Sequence, residues 1–178
     1  ARGAGFISET PPWRASRDWA IRLGYTPQAM VDLNRRAIEL MHALRDEYAA
    51  KGVSGVVSGC VGPRGDGYKL ASTMSADEAA AYHAEQIGAF AAAGADMTSA
   101  MTMNYRDEAI GVARAAKQAG LPVAISFTLE TDGRLPSGDA LGNAIRAVDA
   151  ASGDWPAYYM INCAHPTHFA DMLKTAGD

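Results

Sequence analysis

The sequence has only two cysteines, Cys60 and Cys163, among its 178 residues, together with eight methionines. So few cysteines exclude a small disulfide-stapled secreted domain and favour a reducing compartment. No apolar run reaches the roughly 18 residues that a membrane-spanning helix needs, and no basic segment followed by an apolar one opens the chain. These absences predict a cytoplasmic protein that does not insert into a membrane.

Positive charge is also scarce, with 16 Lys and Arg residues against 20 Asp and Glu residues and a formal net charge of −4. Proteins that bind nucleic acid usually present a basic surface, so nucleic acid is not an expected partner. The hydrophobic share of 48% and the charged share of 20% are ordinary for a globular protein. No change of composition divides the chain, and we expect residues 1–178 to form a single domain.

Five short apolar segments alternate with helical patterns along the chain. The predicted strands are 5–8, 53–58, 96–102, 122–127 and 157–161. The predicted helices are 27–51, 75–93, 104 or 105 to 118, 139–151 and 167–176. Thr26 before Pro27 is a typical helix start, and Ser75 with Glu78 has the spacing of a capping box. This alternation, with glycines after the helices, predicts βα units on a parallel sheet.

Polar residues follow each predicted strand at its carboxyl end. In a (β/α)8 barrel these ends form one rim, which carries the active site. The other architecture, a doubly wound sheet with a phosphate loop, is disfavoured because the glycine-rich run 59–67 lacks a Lys-Ser or Lys-Thr pair and leads directly into no helix. A full barrel takes roughly 250 residues. We therefore predict an α/β fold that is a partial (β/α)8 TIM barrel.

Cys163 is placed at the exit of a predicted strand and is followed by His165 and His168. Thiolate and imidazole are preferred zinc ligands, and this Cys-x-His-x-x-His set would leave one coordination position open. Alternatively, the histidines cap the next helix or orient its loop, because the cluster lacks the paired spacing typical of zinc ligand sets. A metal-assisted lyase or aldolase that uses these three residues stays open, and so does a non-catalytic assembly module.

Three further positions carry candidate chemistry. Glu9 ends the first predicted strand, where it could bind a substrate ammonium group, act as a base or form an ion pair on the rim. Gly59 and Gly62 flank Cys60 closely, which implies a positive φ or a close approach of the backbone to a neighbour. The amides of this loop could face a ligand carboxylate, or the loop could be a plain turn. Glu130 lies in a turn-like segment and is predicted to be structural or solvated.

Four segments together resemble the homocysteine S-methyltransferases, whose domain is a (β/α)8 barrel with a catalytic zinc. They are Gly59-Cys60-Val61-Gly62-Pro63, Ser126-Phe127-Thr128 with the loop at 133–141, Ile161-Asn162-Cys163, and Glu9-Thr10. The resemblance spans nearly the whole chain and implies strands two to six of such a barrel. It also implies that Cys163 is a zinc ligand and that six residues help to form the substrate pocket, namely Glu9, Thr10, Gly59, Cys60, Ser126 and Asn162.

The chain departs from the family pattern at three points. The family holds zinc with three thiolates, one from the Asn-Cys motif and two from a Cys-Cys pair that is absent from this sequence. Cys60 stands where the family has serine, and Met101 stands where the family usually has a glutamate that holds the homocysteine amine.

The activity implied by the resemblance is methyl transfer from a small methyl donor to the zinc-bound thiol of homocysteine, giving methionine in the full-length protein. The partners it implies are thus small molecules, a thiol and a methyl donor. The missing cysteine pair makes us expect a central fragment that is inactive by itself. Its open sheet edges could pair copies into a homo-oligomer.

Overall fold

The computed structural model describes residues 4–175, apart from the side chains of residues 171, 174 and 175. The strands are β1 (Phe6–Glu9), β2 (Gly55–Val61), β3 (Met97–Met103), β4 (Val123–Phe127) and β5 (Pro156–Ile161). The helices are α1 (Arg17–Arg22), α2 (Pro27–Ala49), α3 (Ala76–Ala92), α4 (Arg106–Gln118), α5 (Leu141–Ser152) and α6 (Ala170–Thr175). Within the described range, no helix is long and apolar enough to cross a membrane.

The five strands form one parallel sheet in the order β1-β2-β3-β4-β5. Because each strand pairs with the next one in sequence, right-handed crossovers place the connecting helices on one face of the sheet. In the described part of the chain, β1 and β5 each have a single neighbouring strand, so the sheet is open. The predicted α/β fold with alternating parallel strands and helices is confirmed.

The helix starts and ends follow the local signals in the sequence. Thr26 Oγ1 accepts a hydrogen bond from Ala29 N at 3.1 Å, with Pro27 in the first turn of α2. Ser75 and Glu78 form both halves of the predicted capping box at the start of α3. Gly94 and Gly153 follow α3 and α5 with φ of 81° and 67°, a conformation that stops a helix and favours glycine.

Two parts of the chain differ from the predicted elements. Helix α1 was not predicted, because six residues are too few to show a helical period and the side chain of the residue before it, Ser16, makes no capping bond. The predicted helix 167–176 is instead a 3₁₀ turn, Pro166–His168, followed by α6. Phe169 interrupts it with φ −132° and ψ −4°, and residue 176 lies outside the described residues.

Side chains alternate between the helix layer and the open face of the sheet. A Cβ atom built on Gly59 in β2 would lie 2.2 Å from Phe90 Cδ2 of α3, so position 59 faces the helix layer. Its strand neighbours Ser58 and Cys60 therefore face the opposite side. The register pairs Ser58 with Glu9 and Cys60 with Ser99, which places these polar side chains on one face.

Candidate active site

A group of largely buried polar side chains joins the end of β1 to the middle of β2 and β3. Ser99 Oγ donates a hydrogen bond to Glu9 Oε1 at 2.7 Å, and Ser58 Oγ lies 2.7 Å from Ser99 Oγ. Because the Ser99 proton is directed to Glu9, the Ser58 hydroxyl donates to Ser99. Glu9 Oε2 is buried and has no hydrogen-bond partner among the described residues other than the neighbouring Cys60 thiol. This carboxylate oxygen is therefore free to accept a hydrogen bond from a ligand.

Cys60 lies within β2 rather than in the loop after it, because the strand continues to Val61. Its backbone N–H donates to Thr10 Oγ1 at 2.9 Å, so the buried Thr10 hydroxyl joins the ends of β1 and β2. Burial raises the pKa of the Cys60 thiol well above its ordinary value, and the Glu9 carboxylate raises it further. Cys60 is thus a neutral thiol at physiological pH, unsuited to act as a nucleophile or a metal ligand.

The two glycines that flank Cys60 permit close approach and do not have positive φ angles. Gly59 makes room for the Phe90 ring, and a Cβ atom on Gly62 would lie 2.4 Å from the Trp13 indole. Of the two alternatives expected from the sequence, close approach is the one observed. Gly59 therefore faces the helix layer rather than the cluster around Glu9.

A second group of side chains joins the ends of β3, β4 and β5 through the amide of Asn162. Asn162 Oδ1 accepts from Ser126 Oγ at 2.7 Å and from Thr102 N at 3.1 Å. Asn162 Nδ2 donates to Thr102 Oγ1 at 2.8 Å and to Cys163 Sγ at 3.2 Å. Thr102 and Cys163 have φ of 63° and 55°, which is unfavourable for residues with side chains. The amide therefore holds two strained residues at the rim.

Cys163 is an exposed free thiol at this rim. The Tyr68 hydroxyl, from the loop between β2 and α3, lies beside it. This hydrogen-bonding contact with Cys163 raises the pKa of Tyr68 above its ordinary value, and partial burial adds to the rise. Of the two cysteine thiols, Cys163 is therefore the exposed one, and it is flanked by an amide and a phenol.

The two histidines near Cys163 are not arranged with it as metal ligands. His165 Nδ1 lies 2.8 Å from Thr167 Oγ1 and accepts from Thr167 N at 3.4 Å, which caps the 3₁₀ turn. The ring centroids of His165 and His168 are 6.1 Å apart. Within residues 4–175, no group of three His, Cys, Asp or Glu side chains is placed to hold a metal ion. His165 takes the capping role predicted as the alternative, and among these residues the three side chains of the lyase or aldolase hypothesis are not assembled into a metal site.

Sequence reasoning missed three residues of the site. Ser99 could have been found from its register with Cys60, but only once the strand pairing was known. Thr102 ends the predicted strand 96–102, but its bonds to Asn162 depend on the pairing of strands far apart in the sequence. Tyr68 carries no sequence signal, because it lies in an irregular loop. Glu130 is exposed and lies in a turn closed by its N–H bond to Arg134 O at 2.8 Å, in line with its predicted structural role.

The family comparison agrees with this geometry. Residues 2–178 match the sequence model of a family described as homocysteine S-methyltransferase. A comparison with curated protein sequences gives no match.

Solved structures with a similar fold include three forms of the homocysteine methyltransferase MmuM from Escherichia coli. The oxidized form is 22% identical with a TM-score of 0.84, over 98% of this chain and 63% of that one. The metallated form is 23% identical with a TM-score of 0.80, over 91% and 59% of the two chains. The apo form is 24% identical with a TM-score of 0.69, over 92% and 58%.

At these identities the structural likeness concerns the fold. The open five-stranded sheet matches part of a TIM barrel, as predicted. The chain spans between 58% and 63% of the length of these solved relatives.

Proposed function

The chain belongs to the homocysteine S-methyltransferase family, and we therefore propose that the protein transfers a methyl group from a small methyl donor to the thiol of homocysteine, giving methionine. In this displacement the substrate sulfur forms a bond to the methyl carbon while the bond from that carbon to the donor breaks. The thiol proton leaves before or during the attack. The family match over residues 2–178 carries the proposal, and the rim geometry supports it.

The Glu9 carboxylate is proposed to bind the ammonium group of homocysteine. Its Oε1 is already held by Ser99, whereas Oε2 is buried and lacks a partner apart from the Cys60 thiol. An ammonium group supplies the missing donor and the opposite charge, which offsets the cost of the buried carboxylate. In this chain, Met101 of β3 stands where the family usually has the glutamate that holds the homocysteine amine. The half-buried thioether of Met101 cannot bind a cation as a carboxylate does, so Glu9 would take this role.

The other pocket residues expected from the sequence are proposed to shape the site. Thr10 and Cys60 join the ends of β1 and β2, and Gly59 lets the helix layer pack closely behind them. Ser126 and Asn162 form the opposite wall and orient the backbone before Cys163. The substrate pocket would thus lie between the Glu9 cluster and the Asn162 cluster.

Zn²⁺ is the cofactor proposed for the family reaction, and Cys163 fits the role of one ligand because it is exposed at the rim. The described residues do not fit a complete zinc site, since they assemble no group of three ligands. The sequence contains no third cysteine either. When bound, zinc would favour the thiolate form of the substrate thiol. We propose that this 178-residue chain alone neither binds zinc tightly nor turns over.

A zinc titration and a methionine-formation assay with homocysteine and a sulfonium methyl donor test these proposals. We expect weak zinc binding and no turnover by the 178-residue chain, and turnover by a longer form that contains it and supplies the missing zinc ligands. In an active form, Glu9→Gln should raise the KM for homocysteine at least about tenfold, the effect of losing a buried charge-assisted bond. Glu39→Gln, in an exposed ion pair on α2, is the matched control.

Stoichiometric, tight zinc binding that is lost in Cys163→Ala would show that the chain completes its own site. A longer form that does not methylate homocysteine would contradict the proposed reaction.

Association through the sheet edges is a second proposal about this chain. Phe6 and Ile7 of β1 are 37% and 43% exposed, and Tyr158 of β5 is 37% exposed. Open edges with exposed apolar side chains favour pairing with another strand. Sedimentation velocity across a range of concentrations should show a mass that grows with concentration, whereas a constant monomer mass would contradict this proposal.

A further inference from the structure

We propose that Tyr68 forms a wall of the site beside Cys163, and that Glu108, which lies on α4, is the positioning residue that holds the loop carrying Tyr68. The loop, residues 62–75 between β2 and α3, is named here the Tyr68 loop. This inference rests on the proposed function only where it treats the rim around Cys163 as a substrate-binding site. The placement of the loop stands on its own contacts.

The first end of the Tyr68 loop is attached to a buried carboxylate. Arg64 N donates to Glu108 Oε1 at 2.7 Å, and His83 Nε2 of α3 lies 2.9 Å from the same oxygen. The side chains of His83 and Glu108 are each only 1% exposed. The backbone of the loop is therefore tied to a pair that also joins α3 to α4.

The other end of the Tyr68 loop reaches the same carboxylate through Tyr105, three residues before Glu108. Met74 N donates to the Tyr105 hydroxyl oxygen at 3.0 Å. Burial raises the pKa of Tyr105, and the neighbouring Glu108 carboxylate raises it further, so this hydroxyl stays protonated. Both ends of the loop thus depend on one region of α4.

The middle of the Tyr68 loop is held against the rim. Asn104 Nδ2 donates to Asp66 O at 2.7 Å. Asp66 Oδ1 accepts from Tyr68 N at 2.8 Å and from Lys69 N at 2.9 Å, which forms an Asx turn. A Cβ atom on Gly67 would lie 3.0 Å from Thr102 Cγ2, so the backbone there rests on the strained strand end.

These contacts place a phenol where it can act on the site. Tyr68 is 55% exposed and follows Gly67, whose backbone rests on Thr102. The Thr102 hydroxyl accepts from the same Asn162 amide that donates to Cys163 Sγ, so Tyr68 lies at the rim that carries this thiol. The contact of Tyr68 with Cys163 agrees with this placement. A buried carboxylate is costly, and Glu108 Oε2 has no hydrogen-bond partner among the described residues. Hydrogen bonds at the protein surface would be enough to attach a loop. A buried anchor such as Glu108 restricts the loop to a smaller range of positions. A residue that shields Cys163 and contacts a bound substrate requires such a fixed position.

Two readouts that need no methyl transfer test the proposal. Arg64 and Lys69 are trypsin sites inside the loop, so limited trypsinolysis reports its release. Labelling with a bulky maleimide reports access to Cys163, because Cys60 is buried. In Glu108→Gln we expect both rates to rise about tenfold. In Tyr68→Ala, which removes the ring beside Cys163, we expect faster labelling with unchanged cleavage at Arg64, a split that a merely structural role would not produce.

Asp107→Asn is the matched control, since Asp107 precedes Glu108 on α4 and is 47% exposed. It should leave both rates unchanged. If Glu108→Gln does not fold, Tyr105→Phe, which removes a single hydroxyl, should still accelerate cleavage at Lys69. Folded Glu108→Gln or Tyr105→Phe protein with native cleavage would overturn the anchoring, and unchanged labelling of Tyr68→Ala would overturn the role of Tyr68. Failure of methyl transfer in an active form, with both rates as expected, would count only against the proposed function.

Discussion

Asn162 at the end of β5 is joined to Thr102 at the end of β3 by two hydrogen bonds, although β4 lies between the two strands. Asn162 Nδ2 donates to Thr102 Oγ1 at 2.8 Å, and Thr102 N donates to Asn162 Oδ1 at 3.1 Å. Ser126 on β4 donates to the same amide oxygen. One side chain therefore sets the relative position of three strand ends and of the thiol that follows it.

Replacing Asn162 should destabilise the chain and disturb the rim. Asn162→Ala removes these bonds and leaves the Thr102 amide without its partner, so we expect a loss of about 1–3 kcal/mol in the free energy of unfolding. Urea denaturation measures it. Asn143→Ala is the control, because Asn143 is an exposed residue of α5 whose side chain accepts a hydrogen bond from its neighbour Arg146. If the two variants had the same free energy of unfolding, the proposed stabilising role of the Asn162 side chain would be wrong.

Adding a methyl group at Gly59 should strain the contact between β2 and α3. The new Cβ atom would lie 2.2 Å from the Phe90 ring, and the fully buried ring has little freedom to move. We expect Gly59→Ala to lower the free energy of unfolding by about 1–3 kcal/mol, as overpacked cores do. Gly65→Ala is the matched control, because open space surrounds that position, and it should be close to neutral. If Gly59→Ala left the free energy of unfolding unchanged, α3 would have to move away from β2 at little cost.

The two cysteines should differ sharply in reactivity. Because burial and Glu9 raise the pKa of the Cys60 thiol, iodoacetamide at pH 8 should modify only Cys163 in the folded chain. Intact mass spectrometry should show one adduct, two after unfolding in guanidinium, and none in folded Cys163→Ala. An adduct at Cys60 in the folded protein would contradict the burial of this thiol in β2.

The capping box of α3 should make the free energy of unfolding depend on pH in the acidic range. The Ser75 backbone N–H, followed by its hydroxyl, lowers the pKa of the Glu78 carboxyl below its ordinary value. A lowered folded-state pKa means that the contribution is complete above the ordinary value and is lost as the pH falls through the folded value. The free energy of unfolding should therefore decline as the pH drops below about 4.3, the ordinary pKa of a glutamate, and the decline should be shallower in Glu78→Gln.

Ser75→Ala separates the two parts of this effect, since it keeps the backbone donor to Glu78 and loses the hydroxyl. Its acid dependence should lie between those of the original chain and Glu78→Gln. Identical pH profiles for all three proteins, measured by thermal unfolding in matched buffers, would count against the capping carboxylate.

Much of the fold follows from local patterns. The five strands were predicted in order because apolar runs of strand length are separated by helical periods, and Thr26 and Ser75 start helices by bonds that involve only neighbours in sequence. Short or irregular elements were not predictable. Helix α1 lacks a measurable period, and Phe169 breaks the last predicted helix with a backbone conformation that the sequence does not signal.

The candidate site likewise has features that follow from residue order and others that depend on packing. By itself, the sequence determined that polar residues stand at the strand ends, that Cys163 follows Asn162, and that the chain resembles one family, because these are properties of residue order. Only the tertiary structure decided which of those residues meet. It joined Glu9 to Ser99 and Asn162 to Thr102, turned His165 toward Thr167, and brought Tyr68 to Cys163. The physical reason is that these contacts depend on strand register and loop anchoring, which arise from packing between segments far apart in the sequence.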